Sequence, residues 1–127
     1  MDRYFGTLFL SLILIAASTI STMADHGQLS GEQIKTTLTN AKAKAETSSG
    51  KPYRVRFAED GTVKFSLDDN SYADRGRWTV EGNQYCAQWE KIRKGAKACW
   101  HIKHSAGVKY VFKGIDGAPD LEAVISK

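Results

Sequence analysis

Gly76-Arg77-Trp78-Thr79-Val80 and Tyr85-Cys86-Ala87-Gln88-Trp89, set on either side of the turn residues Gly82-Asn83, decide how this chain folds. Large apolar residues fall on every second position, which is the period of a strand with one buried face, and Gly-Asn between two such runs is a turn signal. The same period extends in both directions. Upstream, Tyr53, Val55 and Phe57 alternate with Arg54 and Arg56, Glu59-Asp60-Gly61 turns the chain, and Val63, Phe65 and Leu67 alternate with Lys64 and Ser66. Downstream, a turn at Arg93-Lys94-Gly95 leads into Ala98, Trp100 and Ile102, then Val108, Tyr110 and Phe112, with a short last strand at Ala123-Val124-Ile125.

Before Tyr53 the period is helical. Ser30 and Gln33 form a capping box, Leu29 is placed to staple onto Ile34, and Ile34, Leu38, Ala41 and Ala45 make one narrow apolar stripe. Thr47 to Pro52 has loop composition. The expected fold is mainly β (α+β): an antiparallel meander curled towards a partial barrel, with one N-terminal helix packed on it. Residues 25–52 supply the helix and linker and residues 53–127 the sheet, together forming one domain, since just over a hundred residues build only one modest core.

Residues 1–24 read as a secretory signal. Arg3 gives a positive start, Leu8 to Ala17 is apolar apart from Ser11, and small Thr22 and Ala24 predict cleavage between Ala24 and Asp25. The apolar stretch is well short of the roughly 20 residues that span a bilayer, so no transmembrane anchor is expected after cleavage. The expected location is periplasmic or secreted. In such a compartment the two cysteines, Cys86 and Cys99, read as one disulfide worth roughly 2 to 4 kcal/mol. Strand parity puts both on the face opposite the tryptophans, where they can meet. A turn centred on Lys94-Gly95 does not set them directly opposite, so either a bulge or a diagonal bridge is required.

The order Gly76-Arg77-Trp78, Cys86 with Trp89, Cys99-Trp100, then Tyr110 resembles small exported bacterial proteins of unknown function with a G-x-W, C-x-x-W, C-[YW] pattern. Leu29-Ser30 and Phe57 to Thr62 are also similar to that family's preceding elements. The resemblance implies an exported, disulfide-closed β domain and no activity. Trp100 stands where a tyrosine is more usual. Gly76-Arg77-Trp78 is also similar to the G-x-W of calycin-like ligand binders, but it lies mid-series here, so no ligand pocket follows from it.

No acid–base or nucleophile set stands out, so no catalytic residue and no cofactor is assigned. Asp60, Asp68, Asp69, Asp74, Asp116 and Asp120 fall in predicted turns and loops, where aspartate serves the backbone. His101 and His104 are three apart on a strand and diverge, and His26 sits second, not third, after the cut, so no metal site is assigned. Trp78, Trp89, Trp100 and Tyr110 share the inner face, either as packed core or as the lining of a pocket for an apolar ligand. The net charge is +4, and Arg54, Arg56, Lys64, Arg77, Lys97, His101, Lys103, Lys109 and Lys113 all take outward parity. Such a face either attracts an anionic envelope component or protein, or is a solvated surface whose lysines discourage sheet aggregation. Export disfavours nucleic acid as partner. The leading expectation is non-catalytic recognition through the basic face. The alternatives are a small-molecule carrier and a secreted hydrolase inhibitor offering Ile92-Arg93-Lys94 as bait.

Overall fold

The computed structural model describes residues 27–127; the segment expected to be a signal, its expected cleavage point and His26 lie outside the described residues. A helix, α1 (Gly31–Leu38), precedes eight strands: β1 (Lys42–Glu46), β2 (Pro52–Phe57), β3 (Thr62–Leu67), β4 (Ala73–Glu81), β5 (Gln84–Trp89), β6 (Ala98–Ala106), β7 (Lys109–Ile115) and β8 (Leu121–Ser126). Each strand pairs antiparallel with the next, and β1 also pairs with β8, so the sheet is a closed barrel and not the partial barrel expected from sequence.

The difference traces to β1. Ala41 and Ala45 extend the helical stripe on paper, but Ala-Lys-Ala-Lys-Ala is equally a period-two pattern with a small inner face. Helix α1 ends after Leu38 because Asn40 takes a left-handed conformation (φ 61°) and redirects the chain. The Asn40 N–H donates to the Phe57 carbonyl at 2.8 Å, and β1 then pairs from Lys42↔Arg56 to Glu46↔Pro52 on one side and from Lys42↔Ser126 to Lys44↔Val124 on the other. At the helix end, the Lys127 ammonium donates to the Thr36 and Thr39 carbonyls, which have no partner within the helix. The capping box forms as expected, with Ser30 Oγ accepting from the Gln33 N–H at 3.2 Å and Gln33 Oε1 from the Ser30 N–H at 2.8 Å.

Because strands alternate in direction, turns after even-numbered strands lie at one end of the barrel. Helix α1 closes that end. Its Gly31 N–H donates to Asn83 Oδ1 in the β4–β5 turn at 2.8 Å, and Ile34 and Leu38, both 0% exposed, insert into the core as a plug. Where the β5–β6 ladder stops after Tyr85↔Trp100, the segment before the helix continues it: the Leu29 N–H donates to the Ile102 carbonyl and the His104 N–H to the Gly27 carbonyl.

Strand parity follows the sequence pattern. Trp78, Tyr85, Ala87, Trp89, Trp100, Ile102 and Phe112 are buried, and Val80 and Tyr110 pack half-buried against them. Gly76 lets β4 approach β5 closely, since a Cβ there collides with the Gln88 carbonyl and the Trp89 backbone. Cys86 and Cys99 form a disulfide and, unlike the bulged or diagonal arrangement expected, lie directly opposite one another with Cα atoms 4.0 Å apart. The reversal is centred earlier than Lys94-Gly95: a 3-10 turn at Ile92–Gly95, with Arg93 and Lys94 left-handed (φ 56° each), brings Ala98 opposite Ala87.

Leu38→Ala is expected to cost about 3 kcal/mol in urea unfolding, the price of opening a hole in the plug. Val124→Ala, on an exposed side chain, is expected to change stability by under about 0.5 kcal/mol. Equal effects would mean that the helix does not plug the barrel.

Candidate functional site

The end opposite the helix is open. A cavity of about 990 Å³ enters there, past Thr47 and Ser48 of the β1–β2 turn, Tyr72 after β3, Ile92 and Arg93 after β5, and Pro119 and Asp120 before β8. A void of this size is far beyond the packing gaps of a protein interior and falls within the range of small-ligand sites. Its origin is in the volumes of the inner side chains. Strand β1 contributes Ala43 and Ala45, and β8 contributes Ala123 beside Leu121, so small residues interrupt an otherwise aromatic and aliphatic lining. Eight strands enclose just enough room for either side chains or one small ligand, so substituting alanines for bulky residues on two neighbouring strands leaves space.

Tyr85 is the hub of that lining. Its ring stacks on Trp100 (centroids 5.4 Å apart) and meets Phe57 at 5.6 Å and Phe112 at 5.7 Å edge-on. Nearer the mouth, Phe65 packs against Tyr53 at 4.8 Å and against Trp89 at 6.1 Å. Two side-chain donors of buried lining residues, those of Trp89 and Tyr85, lack partners among the described residues. The Trp78 indole donates to the Ala58 carbonyl and the Trp100 indole to the Pro119 carbonyl, whereas Trp89 Nε1 has no acceptor and the Tyr85 hydroxyl has neither donor nor acceptor, although both residues are buried against the cavity. Burial, with the Tyr53 hydroxyl as a lesser cause, pushes the Tyr85 phenol far up, and burial alone pushes up that of Tyr53. Both phenols therefore stay neutral donors. An unpaired buried donor costs free energy that a ligand carrying an acceptor recovers.

The mouth is held open by backbone-directed hydrogen bonds. Asp74, buried on β4, accepts from the amides of Arg75, Lys91 and Ile92 at 2.8 to 2.9 Å and so fixes the β5–β6 turn with its two left-handed residues. Burial pushes the Asp74 carboxyl up, but the Ile92, Lys91 and Arg75 amides outweigh it and hold it below its ordinary value. Asp120 accepts from the Gly114 N–H at 2.8 Å and pairs with Lys113 at 3.0 Å, pinning the β7–β8 loop. Aspartates thus serve the backbone here, as the sequence pattern implies. The segment Ile92-Arg93-Lys94 forms a 3-10 turn with left-handed main chain at Arg93 and Lys94.

Of the aromatic residues singled out from sequence, Trp89 and Trp100 line the cavity. Trp78 packs at the plugged end against Phe57, and Tyr110 stands outside the lining with its ring 5.1 Å from His104. Tyr53, Phe57, Phe65, Tyr85 and Phe112, whose inward parity marks them equally as core or lining, also line it, as does Tyr72, which precedes β4 and is not part of the sequence-predicted strands. The expected basic face is divided by closure. Arg54, Arg56, Lys64 and Arg77 lie on β2 to β4, whereas His101, Lys103, Lys109 and Lys113 lie on β6 and β7, with Lys97 just ahead of β6; β5 separates the groups one way round the barrel, β8 and β1 the other. Lys97 pairs with Glu81 at 2.6 Å and Arg54 with Asp68 at 3.2 Å. His101 Nδ1 lies 3.4 Å from Gln28 Nε2, and His104 Nε2 lies 2.8 Å from the Gly107 carbonyl, so the two rings serve separate partners. Glu81 brings a carboxylate near Cys86 and Cys99, but sulfurs joined in a disulfide offer no thiolate to a metal.

No family model, curated protein or solved structure matches this chain. Among the described residues, no helix is long and apolar enough to cross a membrane.

Asp74→Asn is expected to lower stability by about 2 kcal/mol at neutral pH, because one of its amide donors loses its acceptor. The Asp74 carboxyl is held below its ordinary value of 3.8 in the folded state, so its stabilisation is complete above that value and is lost as pH falls through the folded-state value. Urea unfolding should therefore show the gap between the two proteins narrowing at acid pH. A constant gap would remove Asp74 as the anchor of the mouth.

Proposed function

We propose that this protein is an exported, non-catalytic carrier that holds a small, neutral, ring-bearing molecule inside its barrel. The observation that carries this reading is the open cavity lined by the buried Tyr85, whose hydroxyl has no hydrogen-bond partner among the described residues. The flat faces of Tyr85, Trp89, Trp100 and Phe112 favour a planar apolar body. The Tyr85 hydroxyl and Trp89 N–H favour a carbonyl, ether or ring-nitrogen acceptor on it. Charged side chains in the lining (Lys44, Glu46, Arg93, Lys109, Asp120 and Glu122) are mixed in sign and lie on outward-facing strand positions or mouth loops, so no buried charge selects an ionised ligand. Export is supported by the apolar run after Arg3, by the resemblance to exported proteins and by the disulfide, which oxidising compartments maintain.

Titration with the neutral probe N-phenyl-1-naphthylamine tests this reading. Saturable one-to-one binding with energy transfer from tryptophan is expected, and Ala43→Phe, which places a ring in the lumen, should weaken it at least about tenfold while leaving stability unchanged or higher. Loss of about 1 to 3 kcal/mol of stability in Ala43→Phe, without an effect on the probe, would mean a packed core.

A further inference from the structure

On the outer surface of the barrel, the register aligns four cations across four consecutive strands. Lys42 on β1 stands opposite Arg56 on β2, Arg56 opposite Lys64 on β3, and Lys64 opposite Arg75 on β4. Like charges directly opposite on neighbouring strands are destabilising. None of the four forms an ion pair among the described residues: Arg54 beside them is paired with Asp68 and Arg77 reaches the Asp60 carbonyl, but the row itself ends only at Ser126 on one side and at Glu90 on the other. Lysines that protect a sheet edge are ordinary, but a closed barrel has no edge and these strands are paired on both sides. On the far side, by contrast, Lys97 and Lys113 each have a carboxylate.

We propose that this row binds a linear acidic polysaccharide with a carboxylate on each sugar. Adjacent strands are about 4.8 Å apart, so the row offers four cations separated by three steps over roughly 14 Å, a regular spacing suited to a chain charged once per ring. Neutral hydrogen-bonding side chains, Thr62, Ser66 and Gln88, flank it for sugar hydroxyls. Beyond Arg75 a shallow groove of about 420 Å³ over Gly76 is bounded by Arg77 and Gln88 and by Glu90, whose carboxylate marks the end of the cationic track. The row runs around a convex wall and lacks the apolar side chains with which membrane-bound surfaces enter a bilayer; the exposed large apolar residues Tyr72, Val108 and Val124 are not part of it. This site is separate from the cavity and does not depend on it.

The test compares binding of polygalacturonate at low and moderate ionic strength by the purified protein and two variants of equal charge. Replacing Lys42, Arg56, Lys64 and Arg75 by Gln should weaken binding roughly a hundredfold and flatten its salt dependence, with circular dichroism unchanged and the melting temperature the same or higher, because repulsion is relieved. Replacing Lys97, Lys103, Lys109 and Lys113 by Gln should leave binding within about threefold. Equal losses in both variants would reduce the effect to net charge and overturn the proposal. So would absence of saturable polygalacturonate binding alongside binding to phosphatidylglycerol vesicles, which would point to a membrane surface.

Discussion

Three residue pairs between β1 and β8, Lys42↔Ser126 to Lys44↔Val124, close the sheet on itself. Without them the meander is an open, twisted sheet with two bare edges and a single long outer face. With them it has an inside, two ends and no edge. The short β1 ladder depends in turn on the left-handed turn at Asn40, which stops the helix in time for the Ala-Lys-Ala-Lys-Ala segment to enter the sheet.

Closure assigns the two ends different roles. Helix α1 drives Ile34 and Leu38 into one end, and the capping box, Asn83 and Lys127 pair groups at its termini, so that end is packed. The other end is bounded by loops anchored by Asp74, which accepts from the Lys91 and Ile92 amides, and by Asp120, which accepts from Gly114 of β7, around an open mouth. The lumen between them is lined by aromatic residues of β2, β3, β5, β6 and β7, with the small Ala43 and Ala45 of β1 and Ala123 of β8 leaving room beside them. Tyr85 belongs to both regions: its ring packs in the aromatic cluster, and the residue also lines the cavity.

Much of this was readable from the residues because it is local. Alternation at Trp78, Tyr85, Trp89, Trp100 and Phe112 gave strand positions and inward parity, and Ser30 with Gln33 gave the helix start. Closure was not readable, because it rests on a pairing between residues some eighty apart, and Ala41 to Ala45 satisfies both a helical and a strand period. For the same reason Lys42 and Lys44 were absent from the expected cationic face, and Arg75, next to an aspartate in an expected loop, was overlooked. The disulfide pairing was accessible from parity, but its register depended on two left-handed residues, Arg93 and Lys94, which carry no glycine-like signature. Whether inward aromatics make a core or a pocket is a sum of volumes over the whole barrel, and no single strand contains it.

The central claim is that the lumen, and not the outer surface, receives a ring-bearing molecule. Intermolecular NOEs between unlabelled N-phenyl-1-naphthylamine and isotope-labelled protein locate the probe directly. Contacts to Tyr85, Trp89, Trp100 and Phe112, with none to Trp78 beside the helix plug, are the predicted result. Contacts confined to outward-facing side chains, or none at saturating probe, would contradict it.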